Sequence, residues 1–247
     1  MFVKKLFRTV SAEDAALFSL CFLWICVIIH IVYLSSSVSA EKALSEENST
    51  AAVLIIDPGH GGADGGAVAP DGTAESGLNL AVSLRIRDLC TFLGIPTVMT
   101  RESEELSYPP DAKTIAGMKR WDTKRRVEMA DGYENAIFLS IHQNIYPTSS
   151  PHGAQVLYAP GESSRALAEA LQSALTAALL PENRRVAVPA GRDIYILSHT
   201  HCTAVLVECG FLSHPQELSL LKSSGYQKKL ASVLTACYLQ FTEENAV

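Results

Sequence analysis

The sequence predicts an α/β protein, with a largely parallel central sheet of about six strands covered by helices on both faces. Two observations carry that reading. Short apolar segments alternate along the chain with stretches whose apolar residues recur at helical spacing. Several of those segments are apolar throughout, without the in/out alternation of a half-exposed strand. A third observation concerns what precedes the domain: residues 15–34 (AALFSLCFLWICVIIHIVYL) form an apolar run long enough to cross a bilayer, so one N-terminal membrane-spanning or signal helix is expected.

Lys4, Lys5 and Arg8 lie before that run, and Glu41, Glu46 and Glu47 lie after it. The positive-inside rule then places residues 1–14 in the cytoplasm and the remainder outside. Val38-Ser39-Ala40 has the small residues of a cleavage site, which leaves an uncleaved anchor, favoured by the length of the run, or a signal removed after Ala40. The expected location is the cell envelope, outside the cytoplasm and held to the membrane by the N-terminal helix. Residues 35–51 are polar and aperiodic and read as a linker. Residues 52–247 read as one domain, because a chain of 247 residues with 48% hydrophobic content supports one well-buried core and little more. Basic residues occur as scattered pairs such as Arg125-Arg126 and Arg184-Arg185, and the formal net charge is −6, so no nucleic-acid partner is expected. No CxxC pair occurs, which excludes a zinc ribbon and a thioredoxin motif; Cys90, Cys202, Cys209 and Cys237 are expected as free thiols.

Val53–Ile56 is the first strand, and it stops at Asp57-Pro58-Gly59, where proline removes a ladder donor and glycine permits a sharp turn. His60 follows, within the run VLIIDPGHGGADGG (53–66), whose glycines let backbone and substrate approach it closely. A phosphate-binding loop is disfavoured: the GxGxxG spacing fails at Asp64, no helix pattern follows directly and there is no GK[ST]. An esterase oxyanion loop lacks its GxSxG partner. Leu78, Val82, Ile86, Leu89 and Leu93 mark a helix ended by Gly94 and Pro96, with Glu75 just ahead of it. Ile95–Met99 is the second strand, ending in Thr100-Arg101. Residues 102–117 are irregular, and a short helix is expected from about Asp122, as its cap, to Ala130. Ile137–Ile141 is the third strand, followed by His142, and Gly153–Tyr158 the fourth. Leu167, Leu171, Leu175 and Ala178 form a helical stripe stopped at Pro181. Ile194–Leu197 and Ala204–Val207 complete the strands, the latter terminated by Glu208. Ser213 with Gln216 fits a capping box, and Leu230, Val233, Leu234 and Cys237 describe the last helix.

In sheets of this kind the ligand crevice lies outside the carboxyl ends of the strands. His60, His142 and Glu208 all stand there. Two histidines and a carboxylate are a usual catalytic zinc set that leaves a fourth position for water. Zinc brings that water near neutrality in pKa, and a second carboxylate can move its proton to a leaving amine, so amide hydrolysis is the natural reaction. Glu75 and Glu208 fill those two roles, and spacing does not say which of them binds metal. Taken singly, Glu75 could simply complement a helix dipole, whereas a carboxylate closing an apolar strand, as Glu208 does, needs a partner.

DPGHGG at 57–62, Glu75 ahead of an NL-containing helix start, SIHQN at 140–144 and AVLVECGFLSHPQE at 204–217 together resemble the zinc-dependent N-acetylmuramoyl-L-alanine amidases. The resemblance runs from about Val53 to the last helix. It implies a single three-layer αβα sandwich in which His60, Glu75 and His142 hold one Zn²⁺ and Glu208 is the catalytic carboxylate. The implied substrate is peptidoglycan, cut between the lactyl group of N-acetylmuramic acid and L-alanine. Gln143, His214 and Ser198 depart from the usual pattern at the rim, where substrate preference is set. Only a few residues follow Tyr158 before the next helix, so no helical plug over the site is expected. The layout is similar to the spore-cortex, germination-specific amidases, which implies sporulation and muramic-δ-lactam formation with a partner deacetylase; a monomer, attached to the membrane by the apolar run, is expected. Arg101 is a candidate for a stem-peptide carboxylate, or else an exposed salt bridge. Asn144 and Asp57 are candidates for steadying the ligands, or else turn formers. The competing functions are a catalytically silent wall-binding module of the same fold and a metallopeptidase acting on another wall amide.

Overall fold

The computed structural model describes residues 52–245, and Ala52 onward forms one compact unit. Val53–Pro58 (β1) is buried from Leu54 onward, as a central strand covered on both faces must be. It pairs in parallel with Thr97–Met99 (β2) on one side and with Ala136–Asn144 (β3) on the other. Thr203–Phe211 (β6) continues the sheet in parallel with β3, and Gln155–Tyr158 (β4) lies antiparallel against β6. Val188–Pro189 (β5) closes the edge, giving the order β2-β1-β3-β6-β4-β5. Proline is tolerable there because an edge strand can spare one donor.

Six helices cover the sheet: Glu75–Leu93 (α1), Ile115–Asp131 (α2), Glu162–Leu179 (α3), Tyr195–His199 (α4), Pro215–Lys222 (α5) and Ser224–Asn245 (α6). Alternation along each strand divides the core in two. Leu54, Ile56, Leu139, Ile141, Val205 and Val207 pack with Val82 and Ile86 of α1, Leu167 and Leu171 of α3, and Leu230 and Leu234 of α6. Ile55, Phe138, Ala204 and Leu206 face the other way, onto Ala130 of α2 and Leu197 of α4. Helices therefore lie on both faces, and each buried strand is apolar on both sides.

Several local expectations are corrected. Ile194–Leu197 is no strand: the chain from Tyr195 makes a short helix that buries Leu197, and the edge strand lies earlier, at β5. Helix α2 starts well before Asp122, because Thr114 is its cap, its hydroxyl accepting the Gly117 N–H. His214, not Ser213, caps α5 by accepting the Glu217 N–H, while the Ser213 hydroxyl accepts the Tyr146 N–H. Only residues 159–161 separate β4 from α3, so no plug intervenes there. Cys90, Cys202, Cys209 and Cys237 are free.

The membrane helix is also corrected. Residues 15–34, on which the membrane-spanning or signal helix rested, lie outside the described residues, and among the described residues no helix is long and apolar enough to cross a membrane. The longer helices interleave buried positions with charges such as Arg85, Arg87, Lys228 and Lys229. The fold is therefore an α/β sheet of six mostly parallel strands with six helices and no membrane-spanning helix among them. The signal anchor, the membrane as partner and the membrane-anchored location are withdrawn with it.

Candidate metal centre

β1, β3 and β6 run parallel, so their carboxyl ends open on one rim of the sheet. His60 stands two residues past β1, and His142 lies within β3, which continues to Asn144. Glu75 is the first residue of α1. Donor atoms of His60, Glu75 and His142 all lie within 4.8 Å of one another, and the two imidazole centroids are 4.9 Å apart at 73°. Bonds of roughly 2.0–2.2 Å to a shared ion require donors about 3.5 Å from one another. The cluster meets that requirement with small side-chain adjustments.

His60 adopts a left-handed backbone conformation, φ 60°, which for a residue with a Cβ costs about 1–2 kcal/mol. Two buried arginines hold the chain in it. Arg126 donates from Nη2 to the His60 carbonyl at 2.6 Å and from Nη1 to the Pro58 carbonyl at 2.8 Å. Arg101 donates from Nε to Pro58 at 3.0 Å and from Nη2 to the carbonyls of Gly59 at 3.1 Å and Ser76 at 2.9 Å. Asp57 anchors Arg126 through a 2.6 Å ion pair and accepts the hydroxyls of Thr100 and Ser140, each at 2.6 Å. Burial would raise the Asp57 pKa, but the Arg126 charge and the two hydroxyls hold it below the ordinary carboxylate value. The glycines have a steric role as well. A Cβ at Gly59 would overlap the His142 ring, and one at Gly66 would stand 2.6 Å from Glu75 Oε2 and 2.7 Å from His60 Cδ2.

Glu75 is 3% exposed, and both of its oxygens are engaged by protein donors or face the two imidazoles. Oε1 accepts the Gln143 N–H at 3.0 Å, the Asn79 amide at 3.2 Å and His142 Nδ1 at 2.9 Å. Oε2 accepts the Ala67 N–H at 2.9 Å and faces His60 Nε2 at 3.2 Å. Burial opposes ionisation of Glu75, yet the two histidines keep its pKa far below the ordinary value. His60 is the counterpart. Burial disfavours its charge, but hydrogen bonds to Asp64 (2.9 Å from Nδ1) and Glu75 carry its pKa up to about 9. Below that pH the metal-free imidazole carries a proton that a metal ligand must lose. Metal uptake at pH 7 is therefore expected to release about one proton, and apparent affinity to rise roughly tenfold per pH unit up to about 9. Calorimetric titration in buffers of different ionisation enthalpy measures this; uptake without proton release would refute it.

Glu208 is the register partner of His142 on the neighbouring strand. Rather than ending β6, it stands inside it, because pairing continues to Phe211. Its Oε2 is shielded from solvent and has no hydrogen-bond partner. Burial, reinforced by the Glu75 charge and opposed by His142, His60 and Arg185, pushes its pKa up to about 7. A carboxylate so placed can take and return a proton near neutral pH.

Of the remaining candidates, Arg101 is 5% exposed and spends its donors on backbone carbonyls and Glu104, so it is neither an exposed salt bridge nor open to a ligand. Asn144 closes β3 where its register with β6 shifts, and its carbonyl accepts the Leu212 N–H at 2.7 Å. His152 and His214 lie against each other, His199 stacks on Tyr195 and His201 pairs with Asp131, all apart from the cluster. Asn79 and Arg126 were not singled out from the sequence, and Gln143, read there as a rim residue, is instead buried, its N–H on Glu75 and its amide on Asn79. The available signal was Asp57, a carboxylate ending an apolar strand, which demands a buried cation.

The sequence matches the N-acetylmuramoyl-L-alanine amidase family over residues 54–237. It is 33% identical to the germination-specific N-acetylmuramoyl-L-alanine amidase of Bacillus subtilis over 193 residues, 78% of this chain and 80% of that protein. The fold is similar to that of the CwlD amidase from Clostridioides difficile, solved in complex with the GerS lipoprotein, with a TM-score of 0.75 and 32% identity over 78% of this chain and 100% of that one. It is also similar to the amidase AmiC2 of Nostoc punctiforme, with a TM-score of 0.66 and 26% identity over 78% and 97% of the two chains.

Proposed function

Because this chain belongs to the N-acetylmuramoyl-L-alanine amidase family, we propose that it is a zinc hydrolase, with one Zn²⁺ per chain, that cleaves peptidoglycan between the lactyl carbonyl of N-acetylmuramic acid and L-alanine. The carrying observation is the meeting of His60, Glu75 and His142 at one point, with Glu208 in register beside His142. When bound, zinc supplies Lewis acidity toward the carbonyl and lowers the pKa of water. His60, Glu75 and His142 would hold it; Asp64 orients His60, Asn79 and the Gln143 N–H orient Glu75, and the packing of the His142 ring against Gly59 leaves its Nδ1 facing Glu75 and the cluster. Glu208 Oε2 takes the proton from the attacking water. The same carboxyl then gives it to the amide nitrogen as the C–N bond breaks, leaving a lactyl carboxylate and a free amino terminus.

Kinship with the germination-specific amidase supports spore-cortex peptidoglycan as the physiological substrate. A silent wall-binding module would have no use for a strained His60 or for an unpartnered Glu208 Oε2. The test is mass spectrometry of muropeptides after digestion by the full chain, with and without chelator. Peptides beginning with L-alanine, lost on chelation and restored by zinc, are expected. Fragments cut at any other bond would overturn the assignment of the scissile amide, and chelator-insensitive release would overturn the metal.

A further inference from the structure

His142, Glu208 and Gln155 are register partners across β3, β6 and β4. Residues opposite one another in neighbouring strands present their side chains on the same face. Two residues away in the three strands, on that face, Ser140, Leu206 and Leu157 are likewise in register. The three polar residues therefore form a row at the rim, stepping roughly 4.8 Å per strand: metal ligand, proton carrier and amide. The row continues. The Gln155 side-chain Oε1 accepts Arg185 Nη1 at 2.8 Å, and its Nε2 donates to the Val186 carbonyl at 3.1 Å.

Arg185 is fixed from several sides. Its Nε donates to the His152 carbonyl at 3.0 Å, its backbone N–H donates to Asn183 Oδ1 at 3.0 Å, and its guanidinium lies 4.6 Å from the centre of the Phe211 ring. All these side-chain acceptors and the ring are uncharged. Among the described residues no carboxylate forms an ion pair with Arg185, and Nη2 donates to none of them. Arg101 and Arg126, by contrast, are paired with Glu104 and with Asp57 and Asp122. A half-buried guanidinium held rigidly, within electrostatic reach of Glu208 but in ion-pair contact with no carboxylate among the described residues, at the end of a row that begins at the metal ligands, is preorganised for an anion.

We propose that Arg185 is a substrate-binding residue that receives a carboxylate of the leaving stem peptide, one or two residues beyond the scissile amide. Extended peptide advances about 3.5 Å per residue, which spans the step from Glu208 past Gln155. Gln155 is the positioning residue that sets the guanidinium. This subsite rests on the amidase reading above, and its test keeps the two separable.

Two muramoyl peptides are compared, one carrying a free carboxylate on the second residue and one carrying the carboxamide there. With the full chain, the acid is expected to be preferred in kcat/KM by about 10- to 100-fold, the scale of a hydrogen bond to a charged group. Arg185→Gln brings the preference close to unity through KM rather than kcat, and Arg185→Lys restores part of it. A wild type indifferent to the substitution, or an Arg185→Gln protein that keeps the preference, overturns the subsite while the amidase stands. If the wild type cleaves neither, the amidase reading fails. The subsite is then decided by calorimetric binding of the free peptides to the full chain. Tighter binding of the acid, lost in Arg185→Gln and partly regained in Arg185→Lys, supports it, and equal binding of both peptides overturns it. Should Arg185→Gln not fold, the same comparisons are read on Arg185→Lys, whose preference is expected to fall below that of the wild type.

Discussion

Replacing Glu208 with glutamine is expected to lower turnover of muropeptides by two to four orders of magnitude while leaving metal content unchanged. The substitution keeps the shape of a side chain that lies inside β6 and touches no protein donor at Oε2, so the fold has little reason to respond. What it removes is the ability to accept a proton beside His142. Metal analysis and single-turnover kinetics on the same preparation check both halves. Near-normal turnover would mean that another group carries the proton, and lost metal would mean that Glu208 belongs to the ligand set.

Replacing Arg126 with methionine is expected to destabilise the metal-free protein by about 3–5 kcal/mol, the usual result of stranding one partner of a buried ion pair. Asp57 would be left wholly buried without its cation, the His60 carbonyl would lose the Arg126 donor, and the Pro58 carbonyl would keep only that of Arg101. Arg126→Lys is expected to recover only part of this, because one ammonium cannot serve Asp57, Asp122 and two carbonyls in the fork geometry of a guanidinium. Denaturant titration measures both variants. The acid limb gives a further check. The folded pKa of Asp57 lies below its unfolded value, so its contribution is complete above about pH 4 and is lost as pH falls through the folded value. Without Arg126 that loss should begin at higher pH. A change under about 1 kcal/mol would show that the clamp is not what holds the loop.

The parts legible in the sequence were those where one residue type has one physical meaning. Four successive apolar residues before Asp57-Pro58-Gly59 give β1, a helical stripe ended by Gly94 gives α1, and the histidines past and within two strands fall on the same rim. Other features depended on competition that spacing does not record. Ile194–Leu197 has the composition of a strand, but Leu197 is buried beside α2 and β6 by a helical turn. Asp122 looks like a cap from its neighbours in sequence, yet its carboxylate serves Arg126, four residues on, and Thr114 caps the helix instead. Arg101 reads as a substrate contact or an exposed salt bridge at a strand end, whereas the carbonyls of Pro58 and Gly59 turn inward and claim it. Arg185 gave no signal, since its place depends on an antiparallel pairing of β4 that brings Gln155 opposite Glu208.

Both guanidinium groups grip the loop at Pro58, Gly59 and His60 through main-chain oxygens, which every amino acid carries. That grip does not itself depend on the side chain at position 60, where the remaining constraint is the left-handed backbone, which asparagine and aspartate also adopt at modest cost. An aspartate there would present a carboxylate in place of the imidazole, and so favour a harder ion, with the main-chain clamp beneath it unchanged.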